Sequence, residues 1–407
     1  METSNVGNKV ICLPFDSEVQ YETCVENPHM YRKYIETQLS QYPELFPADI
    51  SSGFTFHDTY PSVKQKIKLR RIKISKSEEV FLIRPSFLMP YCIARTEQVE
   101  KALYLRQWGV PFCALTYVFG HSDMFWYRAW VGMGRNSIVG TTVKKAESLP
   151  QNLVVDEKHT WLEAEKQYVP TTVAANCILG ATVVSDASAE ALKEGYKEFV
   201  AEAVALDPCY QPQTVCVDGW QATQQAWREL FPTITLILCF LHSIIKIESR
   251  CRAQLRKLIK EKAWHCYKAE GKRQFAQRVR RFREWALGNL QKGILLEAVL
   301  KLCSRSRDFL LAYDYPQAHR TSNAVDRLMN HQDRLLYQMR YFHGSKASAR
   351  LAVRAIALQW NFHPYSLRTQ RTAPQRTSPF RDLNGFEYHS NWLHNLLIAS
   401  SLGGLRL

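Results

Sequence analysis

The sequence predicts an α/β protein: a mixed sheet interrupted by a long helical insertion and preceded by a mostly helical region. Three observations predict it. Between residues 151 and 242, short apolar runs alternate with helical periodicity in the order strand, strand, strand, helix, strand, helix, strand. From 243 to 318 the strand-like runs give way to long basic helical sequence. From 76 to 150, short apolar helical segments are separated by Gly-containing breaks.

Residues 1–75 read as a mixed module, punctuated by Tyr42-Pro43-Glu44-Leu45-Phe46-Pro47 and Tyr60-Pro61. Lys66 to Ile74 alternates basic and apolar residues, the period-2 pattern of a half-buried strand with a cationic outer face. Lys68, Arg70 and Arg71 on this run are candidate DNA contacts. In 76–150, Glu97 to Gln107 is helical, with Val99, Ala102, Leu103 and Leu105 apolar. Gly109 breaks it, and Pro111 starts a helix that ends at Gly120. Ser122 caps a third helix through Trp130. After Gly132 and Gly134, Arg135-Asn136-Ser137 leads into 137–145. Short helices with Gly turns and a polar end fit a helix-turn-helix unit, and equally any small helical bundle. Arg135 and Asn136 are the base or phosphate contacts to test, with Lys144 and Lys145 behind them.

In 151–242, strands are expected at Leu153–Asp156, Tyr168–Ala174, Cys177–Ser185, Gln213–Asp218 and Ile234–Phe240. Helices are expected at Ala189–Leu206 and Gln221–Leu230. This is the element order of a ribonuclease H-like core, with helices covering a mixed sheet. The insertion, 243–318, interrupts that core, and 319–360 supplies its final helices. One carries Asp326, Leu328, Leu335, Leu336 and Met339, and the next ends at Trp360. The tail, 361–407, starts loop-like, and Phe386 to Leu402 packs back as a short helix.

The chain has 407 residues, 46 % of them hydrophobic, with a formal net charge of +15. That composition excludes a disordered chain and fits a polyanion binder. The charge is uneven. Glu18, Glu22, Glu26, Glu36, Glu44 and Asp49 make the start acidic, while Lys246–Arg307 and Arg320–Arg381 are dense in Lys and Arg. The 11 cysteines include no Cys-x-x-Cys pair, so mostly buried, reduced thiols are expected. His265 and Cys266 would be zinc ligands only if the insertion folded back on Cys239 and His242. Met1-Glu2-Thr3-Ser4-Asn5 starts no signal peptide, and apolar runs such as Leu236–Leu241 are too short to span a bilayer. A soluble intracellular protein, with no membrane partner, is expected.

Asp156 ends an apolar run, Asp218 ends another, and Asp326 follows Thr321-Ser322-Asn323 at a helix start. Each alone has a plain structural reading: strand end, Asp-Gly turn or first-turn helix acid. Together, two strand-end carboxylates and one on a later helix can hold a pair of Mg²⁺ ions for phosphodiester chemistry. Trp220, directly after Asp218-Gly219, reads as a packed core residue or as a stacking platform for an unpaired base.

The three acids in this order, the long insertion, Cys239-Phe240-Leu241-His242 after the last strand, and Thr-Ser-Asn-x-x-acid-x-Leu at the third acid together resemble a known family. The pattern is similar to the DDE-type transposases of bacterial insertion sequences, in the Mutator-like branch, and is clearest over residues 150–340. The resemblance implies a DNA transposase with Asp156, Asp218 and Asp326 as catalytic, metal-binding acids. Asp326 stands where that family usually has Glu, which leaves open an inactive or domesticated copy acting as a DNA-binding protein. A ribonuclease H-like nuclease is the other alternative. The resemblance further implies two Mg²⁺ ions, with Mn²⁺ able to substitute. Cys239, His242 and Trp220 would lie near the active site, with Lys246 and Arg327 on DNA. The partners implied are transposon inverted ends and target DNA, gripped by a homodimer or larger assembly in the bacterial cytoplasm, at the nucleoid.

Overall fold

A computed structural model describes residues 9–405, the side chain of Ala253 set aside. Met1–Asn5, read as starting no signal peptide, lie outside the described residues. The first sheet holds β1 (Val10–Leu13), β2 (Phe54–Ser62), β3 (Ile67–Ile74) and β4 (Val80–Pro85), in the order β1-β4-β3-β2. Helices α1 (Glu18–Glu26) and α2 (Pro28–Gln41) lie between β1 and β2 in the chain. β2, β3 and β4 form an antiparallel meander, and β1 joins β4 in parallel, Val10 opposite Leu82. The alternation expected on Lys66–Ile74 is met in two pieces: Ile67 and Leu69 are buried, the phase changes at Arg70-Arg71, and Ile72 and Ile74 are buried beyond it. The expected start of helical sequence at 76 is not. Residues 75–79 turn the β3–β4 hairpin, the Glu78 N–H bonding the Ile74 carbonyl. β4 then buries Phe81 and Ile83 in alternation, a signal only six residues long.

Helices α3 (Thr96–Gln107), α4 (Phe112–Phe119), α5 (Asp123–Val131) and α6 (Ile138–Thr142) follow. Ser122 caps α5 as expected, its Oγ accepting the Phe125 N–H. α6 does not present a recognition surface. Ile138, Val139, Thr141 and Thr142 are all buried, and the helix packs on the long helix Ala189–Leu206 and on the C-terminal tail.

The second sheet holds β5 (Asn152–Leu162), β6 (Glu165–Ala174), β7 (Cys177–Ala181), β8 (Thr214–Val217) and β9 (Thr235–Leu238), in the order β7-β6-β5-β8-β9. β5, β6 and β7 are antiparallel to their neighbours, while β5, β8 and β9 run parallel. Parallel neighbours require crossovers, supplied by α7 (Ala189–Leu206) and α8 (Gln221–Leu230). Residues alternate between the two faces. Val155, Val215 and Val217 pack with Tyr196, Phe199 and Trp227 of α7 and α8, whereas Val154 and Cys216 join the core on the other face.

The insertion is five helices: α9 (Phe240–Glu248), α10 (Ala253–Tyr267), α11 (Lys272–Asn289), α12 (Ile294–Ser304) and α13 (Ser306–Leu310). It has its own apolar core, including Ile244, Phe275, Phe282, Val299 and Phe309. Returning to the sheet, α14 (Asn323–Gln338) packs on β5 and β6, and α15 (Lys346–Phe362) on β7. The tail adds α16 (Leu367–Thr372), α17 (Pro379–Asn384) and α18 (Trp392–Ala399), so its first part is more ordered than expected. Ser401 fastens it to the first sheet: its Oγ accepts the Cys12 N–H at 3.1 Å and donates to the Leu45 carbonyl at 2.7 Å. One core thereby runs from Ile11 to Leu402, through α3–α5, α14, α15 and α18. Each large apolar side chain buried there contributes about 1.5–3 kcal/mol.

Eight of the eleven cysteines are buried and none is paired; Cys113 and Cys209 are exposed. The expectation of mostly buried thiols is met. Among the described residues no helix is long and apolar enough to cross a membrane.

Candidate functional site

The sheet register brings the first two acids together. Asn152 pairs with Thr214, an offset of 62 residues, and Asp156 and Asp218 share that offset. Pairing of β5 with β8 is recorded as far as Val154 and Cys216. Two residues further along the same register, Asp156 and Asp218 stand side by side, on the face of Val154 and Cys216. One strand over, Val217 pairs with Leu238, so the same step sets Asp218 beside Cys239. Asp156 is therefore not at a strand end, as expected. β5 continues to Leu162, paired with β6 and, at its end, bridged to Phe342, and Asp156 sits where the neighbouring β8 stops. The polar residues that follow imitate a strand end, but Glu157 is covered by helices on the opposite face. Its Oε1 accepts the Tyr196 hydroxyl at 2.6 Å and the Thr223 hydroxyl at 2.7 Å, and burial pushes its pKa up to about 7.

The third acid comes from the first turn of α14. The Asp326 N–H bonds the Ser322 carbonyl, and Ser322 Oγ donates to Asp326 Oδ2 at 2.8 Å, which fixes the carboxylate. The fourth group is His242, on the first turn of α9, immediately beyond β9. Asp156, His242 and Asp326 each offer one ligand atom, all within 4.8 Å of one another. Asp218 is outside this group. Its Oδ1 accepts the Trp220 N–H at 2.6 Å, the turn bond its Asp-Gly sequence favours. Its charge still acts on both Asp156 and His242.

Burial dominates the carboxyl energetics. It pushes Asp156 up to about 6, with Asp218 and Asp326 adding repulsion, against the Glu157 N–H and His242, which pull it down. Asp326 is raised too, by burial, against Ser322 and His242. His242 is pushed up to about 9, first by the Cys239 sulfur and then by the charges of Asp156 and Asp218, against the lowering effect of its burial. Cys239 is lowered in turn, chiefly by the Cys216 thiol beside it. The Ser322 N–H also donates to Cys239 Sγ, at 3.2 Å, which ties the end of β9 to the start of α14. Among the described residues, neither Asp156 nor Asp326 has a Lys or Arg partner, and the His242 ring is met by the Cys239 sulfur.

Two of the three expected acids thus converge, Asp156 and Asp326; Asp218 flanks them, and His242 takes the third place in the cluster. The sequence reading put His242 near the site in a structural or DNA-positioning role. The signal for more was its position four residues after the last strand, on the same sheet end as both strand acids. Trp220 is not a core residue. It is 37 % exposed, its ring centroid 6.3 Å from that of Tyr168, with Lys166 Nζ 5.1 Å from the Tyr168 ring.

The candidate DNA contacts divide. Lys68, Arg135, Lys145, Lys246 and Arg327 are exposed, Arg327 donating to Asn176 Oδ1 at 2.6 Å. Arg70 is held by the Val25 carbonyl, and Arg71 is paired with Asp58. Asn136 uses its side-chain amide on the Met133 carbonyl, and its own carbonyl accepts from Arg354. Lys144 is a correction: it is 5 % exposed, and its Nζ donates to the Gly140 and Ala399 carbonyls at 2.8 Å each. It anchors the tail and cannot reach DNA. Its neighbours in sequence are polar, but the tail that covers it lies some 250 residues on.

Comparison of the chain with models of known protein families and with curated proteins returned no match.

Proposed function

We propose that this chain is a metal-dependent DNA transposase with a ribonuclease H-like catalytic core. One observation carries the reading: Asp156, Asp326 and His242, from β5, α14 and α9, converge within 4.8 Å with Asp218 alongside. The strand order β7-β6-β5-β8-β9, with two parallel crossovers, supports the core assignment. The net charge of +15 supports a polyanionic substrate.

The residues present fit a divalent cation. Two carboxylates with raised pKa values and no Lys or Arg partner are groups whose repulsion a cation relieves, and such a cation would take the place of the proton on His242. Asp156, Asp326 and His242 would hold the ion, and Asp218 would complete a set for a second. Oxygen donors suit Mg²⁺ and Mn²⁺, and the imidazole tips the balance toward Mn²⁺. Such an ion supplies Lewis-acid charge at the reacting phosphodiester and lowers the pKa of the attacking water. The chain's own groups do the positioning. The Glu157 N–H orients Asp156 at 2.8 Å, Ser322 Oγ orients Asp326, and the Trp220 N–H orients Asp218. Trp220 is exposed beside the partly buried Tyr168 and can stack on a frayed base.

The test is nicking of supercoiled plasmid in Mn²⁺ or Mg²⁺, followed by joining of an oligonucleotide with a free 3′-hydroxyl. Asp156→Asn and Asp326→Asn are expected to abolish both while DNA binding persists. Cleavage without joining would reduce the reading to a nuclease. Cleavage indifferent to both substitutions, or none in the wild type, would sink it.

A further inference from the structure

We propose that a cavity between α9 and α12 is a phosphate pocket, which holds a nucleic-acid phosphate adjacent to the one at the acidic cluster. The cavity has a volume of about 280 Å³. Lys246 and Arg250 line it from α9 and its end, and Lys301 and Arg305 from α12 and its end. No carboxylate lines it. Among the described residues none of these four cations has an ion-pair partner, whereas Lys260, Lys272 and Arg280 of the same insertion pair with Glu248, Asp314 and Glu284. Four cations around one cleft repel one another, and an anion in it relieves that repulsion.

The floor of the cavity includes Gly219 and His242. His242 also belongs to the acidic cluster, so the cation site and the anion pocket share a side chain. Gly219 shows how close the approach is. A Cβ built there would lie 2.9 Å from an Arg305 guanidinium nitrogen and 3.9 Å from Lys246 Nζ. Two cations therefore sit directly over the residue after Asp218. Glycine at 219 leaves room for them, and its own φ is not in the left-handed region. At the low end of small-ligand pockets, the cavity admits a phosphate with its sugar and excludes a duplex. A strand leaving the acidic cluster would thus cross Gly219 and place its next phosphate among Lys246, Arg250, Lys301 and Arg305. The ligand chemistry is a phosphate ester, either an internal phosphodiester or a 5′-terminal phosphate. The inference rests on the proposed function only in taking the phosphate to be that of DNA.

The test is binding of single-stranded DNA 20-mers, with a 5′-hydroxyl or a 5′-phosphate, followed by fluorescence anisotropy in EDTA at several salt concentrations. Arg305→Ala combined with Lys301→Ala is expected to weaken binding at least tenfold and to reduce the salt slope by about 0.7 for each phosphate lost. Gly219→Ala, which crowds Arg305 without removing charge, is expected to weaken it severalfold. A 5′-phosphate that tightens binding to wild type but not to the double variant assigns the terminal phosphate. Equal affinity for the two oligonucleotides, with loss in the double variant, assigns an internal phosphodiester. Wild-type affinity and slope in both variants, or no binding by the wild type, overturns the pocket. The assay needs neither metal nor cleavage, so an inactive wild type that binds in this way would sink the enzyme and leave the pocket.

Discussion

Replacing Arg354 with Met tests the packing that holds the site's sheet against the helical region. The guanidinium is 9 % exposed, on α15. It donates to the Gly134 carbonyl at 3.0 Å, the Asn136 carbonyl at 2.8 Å and Glu202 at 2.5 Å, and is paired with Glu198. Methionine keeps most of the volume and leaves two α7 carboxylates and two carbonyls without it. Breaking a buried ion pair from one side costs about 3–5 kcal/mol. Arg350 still holds Glu198 at 2.9 Å, and Ser137 Oγ with the Val139 N–H still holds Glu202, so the lower end applies, about 3 kcal/mol. With an unfolding entropy of about 2.1 cal/mol/K per residue, that is a Tm drop of roughly 3–4 °C. The pH dependence has a definite sign. Burial pushes Glu198 up, but Arg354, Thr182 and Arg350 outweigh it and leave its pKa lowered. Its contribution is therefore complete above the unfolded carboxyl pKa of about 4.3 and is lost as the pH falls through the folded value. The gap between wild type and variant should be widest near neutrality and close on acidification. Urea unfolding at a series of pH values reads both quantities. A loss under about 1 kcal/mol at pH 7, or a gap that widens toward pH 4, would refute the reasoning.

Three further outcomes follow from the same structure. Gly140→Ala would drive a methyl into the Gly404 carbonyl and to 3.3 Å from Ser137 Oγ, at a cost of about 1–3 kcal/mol in thermal unfolding, while Gly288→Ala, inside α11 with open space around it, should be neutral or stabilise by up to about 1 kcal/mol. Burial holds His331 down at about 3, below its unfolded value near 6.5, so the unfolded chain takes up the proton first. Its effect is absent above about pH 6.5 and removes up to roughly 1.4 kcal/mol per pH unit below it, so His331→Phe should flatten the fall of Tm between pH 6.5 and 4, and an unchanged slope would count against it. His242→Ala should weaken Mn²⁺ binding, read by electron paramagnetic resonance, more than Mg²⁺ binding read by calorimetry; unchanged binding of both ions would exclude the imidazole as a ligand.

The parts legible in the sequence were those whose signal is local. The bounds of α7 and α8 coincide with the expected 189–206 and 221–230, since an apolar stripe and a cap such as Ser188 are read within one helix. β1 was not legible: four residues carry little pattern, and its partner β4 lies about 70 residues on. Arg135, Asn136 and Lys144 looked like a DNA-reading segment because Gly breaks followed by polar residues occur in exposed turns. Arg135 is exposed, but Asn136 is engaged by Arg354 and Lys144 is buried under the tail, both partners more than 200 residues away. In the site, the common offset of the two strand acids was visible as a number, and its meaning as a sheet register became apparent only with β5 and β8 paired. That Asp326 would meet His242 follows from where the insertion returns the chain, which no spacing encodes.

The bond from Cys12 to Ser401 joins residues 389 apart. At a synthesis rate of about 5–20 residues per second, β1 waits roughly 20–80 s after leaving the ribosome before its last partner exists. Through that interval Ile11 and Leu13, both fully buried at the end, have no cover from the tail. The apolar face of the N-terminal sheet is therefore open to non-native association until the tail has been made.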